Sequence, residues 1–486
     1  MRTRNIVVGG GPTAVAVGMS LRASKHGVTM VLRDKVAVDS YKVPGAFFDL
    51  NSALHKVAVP RDDAFSICHT SSIPSLRKDF DQLRSIFVCT NSYNATVDSA
   101  AVASTVNELL SVAQEMPPTQ PRNVPADSAA LRLEPGLVHS PIPVVLMCHG
   151  LSKDAISPYR CLKEALSRHG KTEAQLFVGS GTFTPSEWTQ SSVAIISQQQ
   201  SGSAATLPPA LCALSFAPSS KCSFQAMGIL EKLFAHETVS FATFAGADHA
   251  ETASIVNACQ VAVAVGAGMV SNASPGSLSA MGVYLHNAVL SMRDVVRQLQ
   301  QCDGNGPTTE GDATRSRVVE LPSDVISQLM VRCFNNASSE YQYGRKVDFF
   351  GKPSEAFNAI FRRESDKLKS LQETMEGLQI FFANASIDSP FFQLIFQGFY
   401  GERSSSCAGT QLLNPLKRQR SALEEKPWSD QAKILCTEIQ KVDAALEIGS
   451  AAEFDRARNG LENAVMNRRT AAVNTNVSTQ STQRSL

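Results

Sequence analysis

Short apolar runs dominate the first half of the chain and long apolar helical stretches the second. "NIVV" (5–8) reads as a buried strand, and "GGGPTAVAVGMSLRASKHG" as a turn and a helix closed by Gly27. "VTMVL" (28–32) reads as a second strand that ends at Arg33 and Asp34. Strand, crossover helix and strand in this order make a βαβ unit. Further strand patterns are "SIFVCT" (85–90), "PVVLMC" (143–148), "AQLFVG" (174–179) and "SVAIISQ" (192–198), with helical stretches such as 97–116 between them. Strands alternating with helices predict a parallel, doubly wound sheet over residues 1–244. Two polar, Pro- or Ser-rich stretches, about 116–142 and 199–211, read as surface insertions.

From about residue 245 the character changes to long helices. "ADHAETASIVNACQVAVAVGAGMVSN" is apolar nearly all round, as a buried helix must be. "SLSAMGVYLHNAVLSMRDVVRQLQQ" is a second long helix, 303–317 a polar loop, and 322–400 again helical. The fold class expected is therefore an α/β Rossmann-type dinucleotide-binding domain (1–244), an all-α C-terminal domain (245–400), and a C-terminal helical extension. Residues 401–428 read as a linker. Ala432, Leu435, Cys436, Ile439, Val442 and Leu446, then Phe454, Ala457, Leu461, Ala464 and Val465, recur at helical spacing around a break at Gly449, which predicts a helical hairpin over 429–470. The polar tail 471–486 is expected to be disordered.

Composition narrows the classes of function. The 486 residues are 43% hydrophobic and 18% charged, enough apolar material for a sizeable core, and the length calls for more than one folded unit. A net charge of +1 offers no footprint for nucleic acid or an anionic membrane. Eleven cysteines are scattered with no CxxC pair and no Cys/His ligand spacing, which points to a reducing compartment and away from zinc. No apolar run has the length to span a bilayer, the first strand starts almost at once, and the final "QRSL" is not a Ser-Lys-Leu address. The expected location is the cytoplasm. "KRQR" (417–420) meets only the loosest nuclear-import pattern, and a solvated linker is its plainer reading.

The candidate chemistry begins with Gly9-x-Gly11-x-x-Ala14 between the first strand and its helix. Gly9 permits a tight turn, Gly11 lets a pyrophosphate approach the backbone, and Ala14 lets helix pack on strand. Asp34, 20 residues past Ala14, stands where a carboxylate accepts from a ribose hydroxyl. This pattern selects NAD as cofactor, although Arg33 beside Asp34 leaves NADP open and Pro12 and Thr13 narrow the turn. A tight turn that binds nothing is the structural alternative.

The order of these segments over 5–400 resembles NAD-dependent glycerol-3-phosphate dehydrogenase. "IVVGGGPTAVAVG" looks like that family's opening glycine turn, and "KVPG" (42–45) sits where it has Leu-Pro-Gly. "VVLMCHGLSKD", "FVGSGTFTPSEW", "NACQVAVAVGAGMV" and "LMVRCFNNASSE" are similar to further family blocks in the same order. The resemblance implies a cleft between the two domains, where the family reduces dihydroxyacetone phosphate with NADH. It also implies that the family's catalytic lysine falls on Gln260 and the asparagine after it on Val261. A second lysine falls on His149, the aspartate that orients the first lysine on Gln328, and a threonine on Arg332. The Arg-Asn pair that grips substrate phosphate falls on Ala337 and Ser338, and Glu187 matches a family glutamate that supports its turn.

A cation beside the ketone stabilises and protonates the oxygen as hydride arrives; a neutral glutamine delivers no proton, and losing such an acid costs about 10²–10⁴ in rate. No lysine lies between Lys232 and Lys346, so a shift of register does not restore one at residue 260. The reading favoured by the sequence is a catalytically degenerate relative that retains the dinucleotide fold for binding or scaffolding. Two others stand beside it: an ordinary member of the family, and an active oxidoreductase on a small phosphorylated substrate that uses His149 as acid and Arg332 as anchor. The structural alternatives are a strand-end histidine, a helix-surface arginine and, for Lys153, a solvated loop lysine. Implied partners are a small phosphorylated substrate, a protein bound through 429–470, and a second copy of the chain; no metal is implied.

Overall fold

The computed structural model describes residues 3–50, 56–78, 82–90, 99–114, 141–171, 174–201, 212–244, 248–302, 321–335, 338–347 and 365–413. Its centre is an eight-stranded sheet built from β1 (Thr3–Val8), β2 (Gly27–Leu32), β5 (Phe65–His69), β6 (Gln82–Val88), β7 (Pro143–Leu146), β8 (Gln175–Thr182), β9 (Ala213–Pro218) and β10 (Thr238–Phe241). The strand order is β10-β9-β8-β7-β6-β1-β2-β5, and a separate antiparallel pair joins β3 (Phe47–Asp49) to β4 (Lys56–Ala58). Every neighbouring pair in the large sheet is parallel except β8 and β9. The doubly wound expectation holds with that one reversal.

Both faces of the sheet are covered, so the middles of its central strands are largely apolar and alternate residues join different cores. Ile6 and Val8 of β1, Ile86 and Val88 of β6, Val144 and Leu146 of β7, and Leu176 and Val178 of β8 belong to one core. Val7, Phe87, Val145 and Phe177 belong to the other. The second core is closed by α1 (Pro12–Ala23), α5 (Pro185–Ser201) and α6 (Phe224–Leu233), which contribute Val15, Trp188 and Leu230. The short α2 (Lys35–Lys42) follows β2. The first core is closed by α3 (Ser99–Gln114), α4 (Pro158–Arg168) and the long α7 (His249–Ala273).

Helix α7 explains the apolar block that opens the C-terminal half. It is buried on all sides, from Ala253 to Val270, between the sheet and α8 (Leu278–Cys302), α9 (Ser323–Phe334), α10 (Ser339–Lys346), α11 (Ser365–Asn384), α12 (Pro390–Phe399) and α13 (Ser405–Leu412). Its glycines serve close approach. A Cβ on Gly268 would stand 2.1 Å from the Tyr341 carbonyl oxygen, and one on Gly344 would stand 1.9 Å from that of Val265. Helices α7 and α10 therefore touch backbone to backbone. Among the described residues α7 is the one helix long and apolar enough to cross a bilayer, and the whole of its apolar window is inside the protein.

Three readings of the sequence need correction. "SVAIISQ" is not a strand but the middle of α5: Trp188, Ser192 and Ile195 are buried at helical spacing, and the apolar run 193–196 is too short to show that period. The large sheet also contains β5, β9 and β10, for which the sequence reading gave no strand. The second insertion starts later than 199, since α5 continues to Ser201. The linker does not start at 401, because α13 packs on α7; Ala408 is fully buried, and a Cβ on Gly409 would meet the Met269 carbonyl oxygen at 2.5 Å. The chain divides into two units, 1–413 and 414–486. The sheet and the helices that follow it share the first unit. The second, with the expected hairpin 429–470 and tail 471–486, lies outside the described residues, as does most of the insertion 116–142.

Candidate functional site

The glycine turn forms as its spacing requires. Gly9 has φ +127°, and a Cβ there would lie 2.5 Å from the Cys89 carbonyl oxygen, so only glycine fits. Gly11, by contrast, has nothing within 4 Å of a Cβ: its surroundings are open. It caps α1 with no side-chain hydrogen bond, Pro12 starts the helix, and no acidic residue stands in its first turn. The N-terminal N–H groups thus remain available at a positive helix end. Ala14 is fully buried against the strands. Asp34 is exposed at the end of β2, where its Oδ1 accepts from the Val36 N–H (2.8 Å) and caps α2. An open glycine, an uncapped helix end and an exposed carboxylate beyond β2 fit the pyrophosphate and ribose of a dinucleotide.

The substrate-side candidates gather at the carboxyl ends of β7 and β8, where open α/β sheets bind ligands. On β8, Leu176, Val178, Ser180 and Thr182 share one face by the two-residue period; the first two lie in the core that α7 closes. The same face therefore carries two hydroxyls towards α7 and α9, both of which pack on β8. Gln260 of α7 is wholly buried. Its Nε2 donates to Gln328 Oε1 (2.9 Å) and Gln328 Nε2 donates to Ser180 Oγ (3.0 Å). The position matched to a lysine and the position matched to its aspartate are thus joined by an uncharged amide pair. Val261, the next residue on α7, is buried and apolar.

Arg332 is one turn beyond Gln328 on α9 and half-buried, and its electrostatic influence reaches His149. It makes no hydrogen bond or salt bridge with another described residue. Burial lowers its pKa, opposed by Glu340 and Cys333. His149 follows β7, and Nδ1 is buried without a hydrogen-bond partner. Burial first, and the Arg332 guanidinium second, hold its pKa well below the ordinary imidazole value. An imidazole so placed is neutral near pH 7 and a poor proton donor there.

The remaining candidates take structural positions. Glu187 is exposed at the start of α5 and accepts from Thr184 Oγ1 (2.7 Å), while the Glu187 N–H donates to that hydroxyl (3.4 Å). It belongs to a helix start of capping-box spacing. Ser338 Oγ accepts from the Tyr341 N–H (3.2 Å) and caps α10. Ala337 lies outside the described residues. Lys153 is exposed on the loop after β7 and pairs electrostatically with Glu373. Among the described residues no cluster of His, Cys, Asp or Glu could hold a metal.

Sequence reasoning missed Ser180, Thr182 and Asn257. The signals were present. Ser180 and Thr182 continue an apolar strand face in polar form, and Asn257 is one turn before Gln260 in a stretch, 255–270, that is otherwise apolar. Asn257 is 2% exposed, and its Nδ2, the Gln260 Oε1 and the Oγ1 of the half-buried Thr182 are buried atoms without a hydrogen-bond partner among the described residues.

No family model and no curated protein sequence matches the chain. Solved structures do. A glycerol-3-phosphate dehydrogenase from Coxiella burnetii matches with a TM-score of 0.56 and 12% identity, over 85% of this chain and 98% of that one. A D-mandelate dehydrogenase with NADH matches with a TM-score of 0.40 and 11% identity, over 81% of this chain and 96% of that one. A 3-hydroxyisobutyrate dehydrogenase from Salmonella typhimurium gives 0.35 and 9%, over 84% and 99%. The likeness to the first establishes the fold: a Rossmann-like parallel core followed by a helical C-terminal region, as in two-domain dehydrogenases.

Proposed function

We propose that this chain is a divergent relative of glycerol-3-phosphate dehydrogenase that binds a nicotinamide dinucleotide, NAD in preference to NADP, and has lost the family's reaction. One observation carries the reading: Gln260, with Gln328 as its partner, fills the lysine–aspartate position with a buried neutral amide pair. The nucleotide half rests on the open Gly11, the uncapped α1 and the exposed Asp34. When bound, NADH supplies the hydride. This chain's own residues would hold its phosphates at the α1 terminus, yet none charges the position matched to the lysine. The fold then serves binding or scaffolding in the cytoplasm, with residues 429–470 the proposed contact for a protein partner.

A second reading is an active oxidoreductase on another small anion. The Arg332 guanidinium near His149 favours it, since a guanidinium can grip a carboxylate or phosphate, and Glu340 is the opposite charge it already faces. The depressed His149 pKa weighs against it, because the acid that reading needs is neutral. Two measurements on the full chain separate the readings. NADH fluorescence titration is expected to show saturable binding, weakened by Asp34→Ala. Oxidation of NADH with dihydroxyacetone phosphate is expected to be absent; sustained oxidation overturns the reading.

A further inference from the structure

The corner that ends β2 is held from outside the glycine motif. The parallel ladder pairs Leu32 with His69, the last residues of β2 and β5. Arg33 and Asp34 lie beyond that ladder, where backbone groups turn to side chains or water for their hydrogen bonds. The half-buried His69 reaches across: its Nε2 stands 2.8 Å from the Arg33 carbonyl oxygen. The other ring nitrogen settles which end donates. Nδ1 accepts from the Ser71 N–H (3.1 Å) and faces Ser71 Oγ at 2.8 Å. A ring nitrogen that accepts from an amide carries no hydrogen, so Nε2 carries it and donates to Arg33. Ser71 thereby fixes the tautomer, and the tautomer fixes the corner.

The far side of the corner is tied as well. Asp34 is extended, with φ −84° and ψ 110°, and its Oδ1 accepts from the Val36 N–H (2.8 Å), which leaves Oδ2 for a ribose hydroxyl. The Gly9 N–H donates to the Val31 carbonyl (3.0 Å), so the same strand end stands beside the glycine turn. Two exposed side chains of opposite charge compete here. A carboxylate receives a ribose 2′-hydroxyl and repels a 2′-phosphate, and a guanidinium does the reverse. The backbone angles between Arg33 and Asp34 decide which of them meets the ribose, and His69 holds the carbonyl in the middle of that segment.

We propose that His69 is a positioning residue of the nucleotide site: by holding the Arg33 carbonyl it presents Asp34, rather than Arg33, to the ribose and sets the choice of NADH over NADPH. The proposal rests on the dinucleotide reading above and adds a determinant that lies outside the glycine motif, on the edge strand. His69 acts through the corner and needs no contact with the nucleotide.

The test is fluorescence titration of the full chain with NADH and, separately, with NADPH. Unaltered protein is expected to bind NADH at least about tenfold more tightly than NADPH. His69→Leu removes the hydrogen bond to Arg33 and is expected to cut that ratio about tenfold, by weakening NADH and not NADPH. His69→Gln, whose amide nitrogen overlies Nε2 and still donates to Arg33, is expected to keep the ratio within about threefold. His69→Asn, whose amide nitrogen overlies Nδ1 and falls short of Arg33, is expected to behave like His69→Leu. A loss of stability alone weakens both nucleotides equally, so the ratio separates positioning from folding. If His69→Leu does not fold, the Gln and Asn variants give the same comparison. The proposal is overturned if folded His69→Leu or His69→Asn keeps the ratio, if the two nucleotides weaken in parallel, or if His69→Gln loses the ratio as fully as His69→Asn. In each of these outcomes unaltered protein still binds NADH, and the dinucleotide reading stands. Failure of unaltered protein to bind NADH overturns the reading and the proposal together, which tells the two failures apart.

Discussion

A lysine at residue 260 would today be misplaced. The site around Gln260 is wholly buried and offers an amide where an ammonium needs a carboxylate. Gln260→Lys is therefore expected to destabilise the fold by about 3 kcal/mol, the scale for an unpaired buried charge, and Gln260→Lys with Gln328→Asp to recover much of that loss; urea unfolding measures both. On the proposed reading the charge is lost as a pair, and reversing one residue alone leaves a worse site than either pair. His149 gives a second prediction. Its folded pKa lies well below the 6.5 of a free imidazole. Below about pH 6.5 the unfolded chain binds the proton that the folded chain refuses, so this residue's contribution falls as pH drops and is fully present above that value. Proton NMR of the imidazole is expected to show no inflexion between about pH 6.5 and 8, and His149→Gln to flatten the acid side of the stability profile. The two motif glycines separate fold from function. Gly9→Ala, strained at φ +127° against the Cys89 carbonyl, is expected to lower Tm. Gly11→Ala has room and is expected to leave Tm unchanged while weakening NADH binding at least about tenfold, since the new methyl stands where phosphate must approach.

At the scale of elements, α7 organises the second half of the molecule. Its contacts with α10 run through Gly268 and Gly344, so Gly268→Ala is expected to cost about 1–3 kcal/mol in urea unfolding, although alanine is the better helix former. The element pattern was legible where the period was long or the context strong. The opening βαβ unit, β7, β8 and the buried α7 all stand within a few residues of where the sequence puts them. It failed where a short apolar run carried too little period. "SVAIISQ" alternates locally, and only the burial of Trp188, Ser192 and Ile195 shows it to be helix. The extent of α13 was hidden for a different reason: Ala408 and Gly409 lie in "SSSCAGTQ", a small-residue stretch that resembles a linker, and small residues are what backbone-level packing against Met269 requires. The candidate site divided similarly. Gln260 and Gln328 were found because an ordered resemblance marked them, and the structure joins them at 2.9 Å. Asn257, Ser180 and Thr182 have no motif; each matters through the face it shares, which becomes visible once β8 and α7 are set side by side.

For the whole molecule, a sheet covered on both faces and a helical region packed around one buried helix place the Gly9–Ala14 turn and the Gln260–Gln328–Ser180 hydrogen-bond chain in one unit, residues 1–413. The fold is a Rossmann-like parallel core followed by a helical region, as in two-domain dehydrogenases, and Gln260 and Gln328 meet in it as an uncharged pair. The most direct measurement is the steady-state rate of NADH oxidation by the purified full chain with saturating dihydroxyacetone phosphate near neutral pH. The account predicts a rate equal to that without protein, in a preparation that binds NADH. Sustained oxidation that Gln260→Leu abolishes would contradict it.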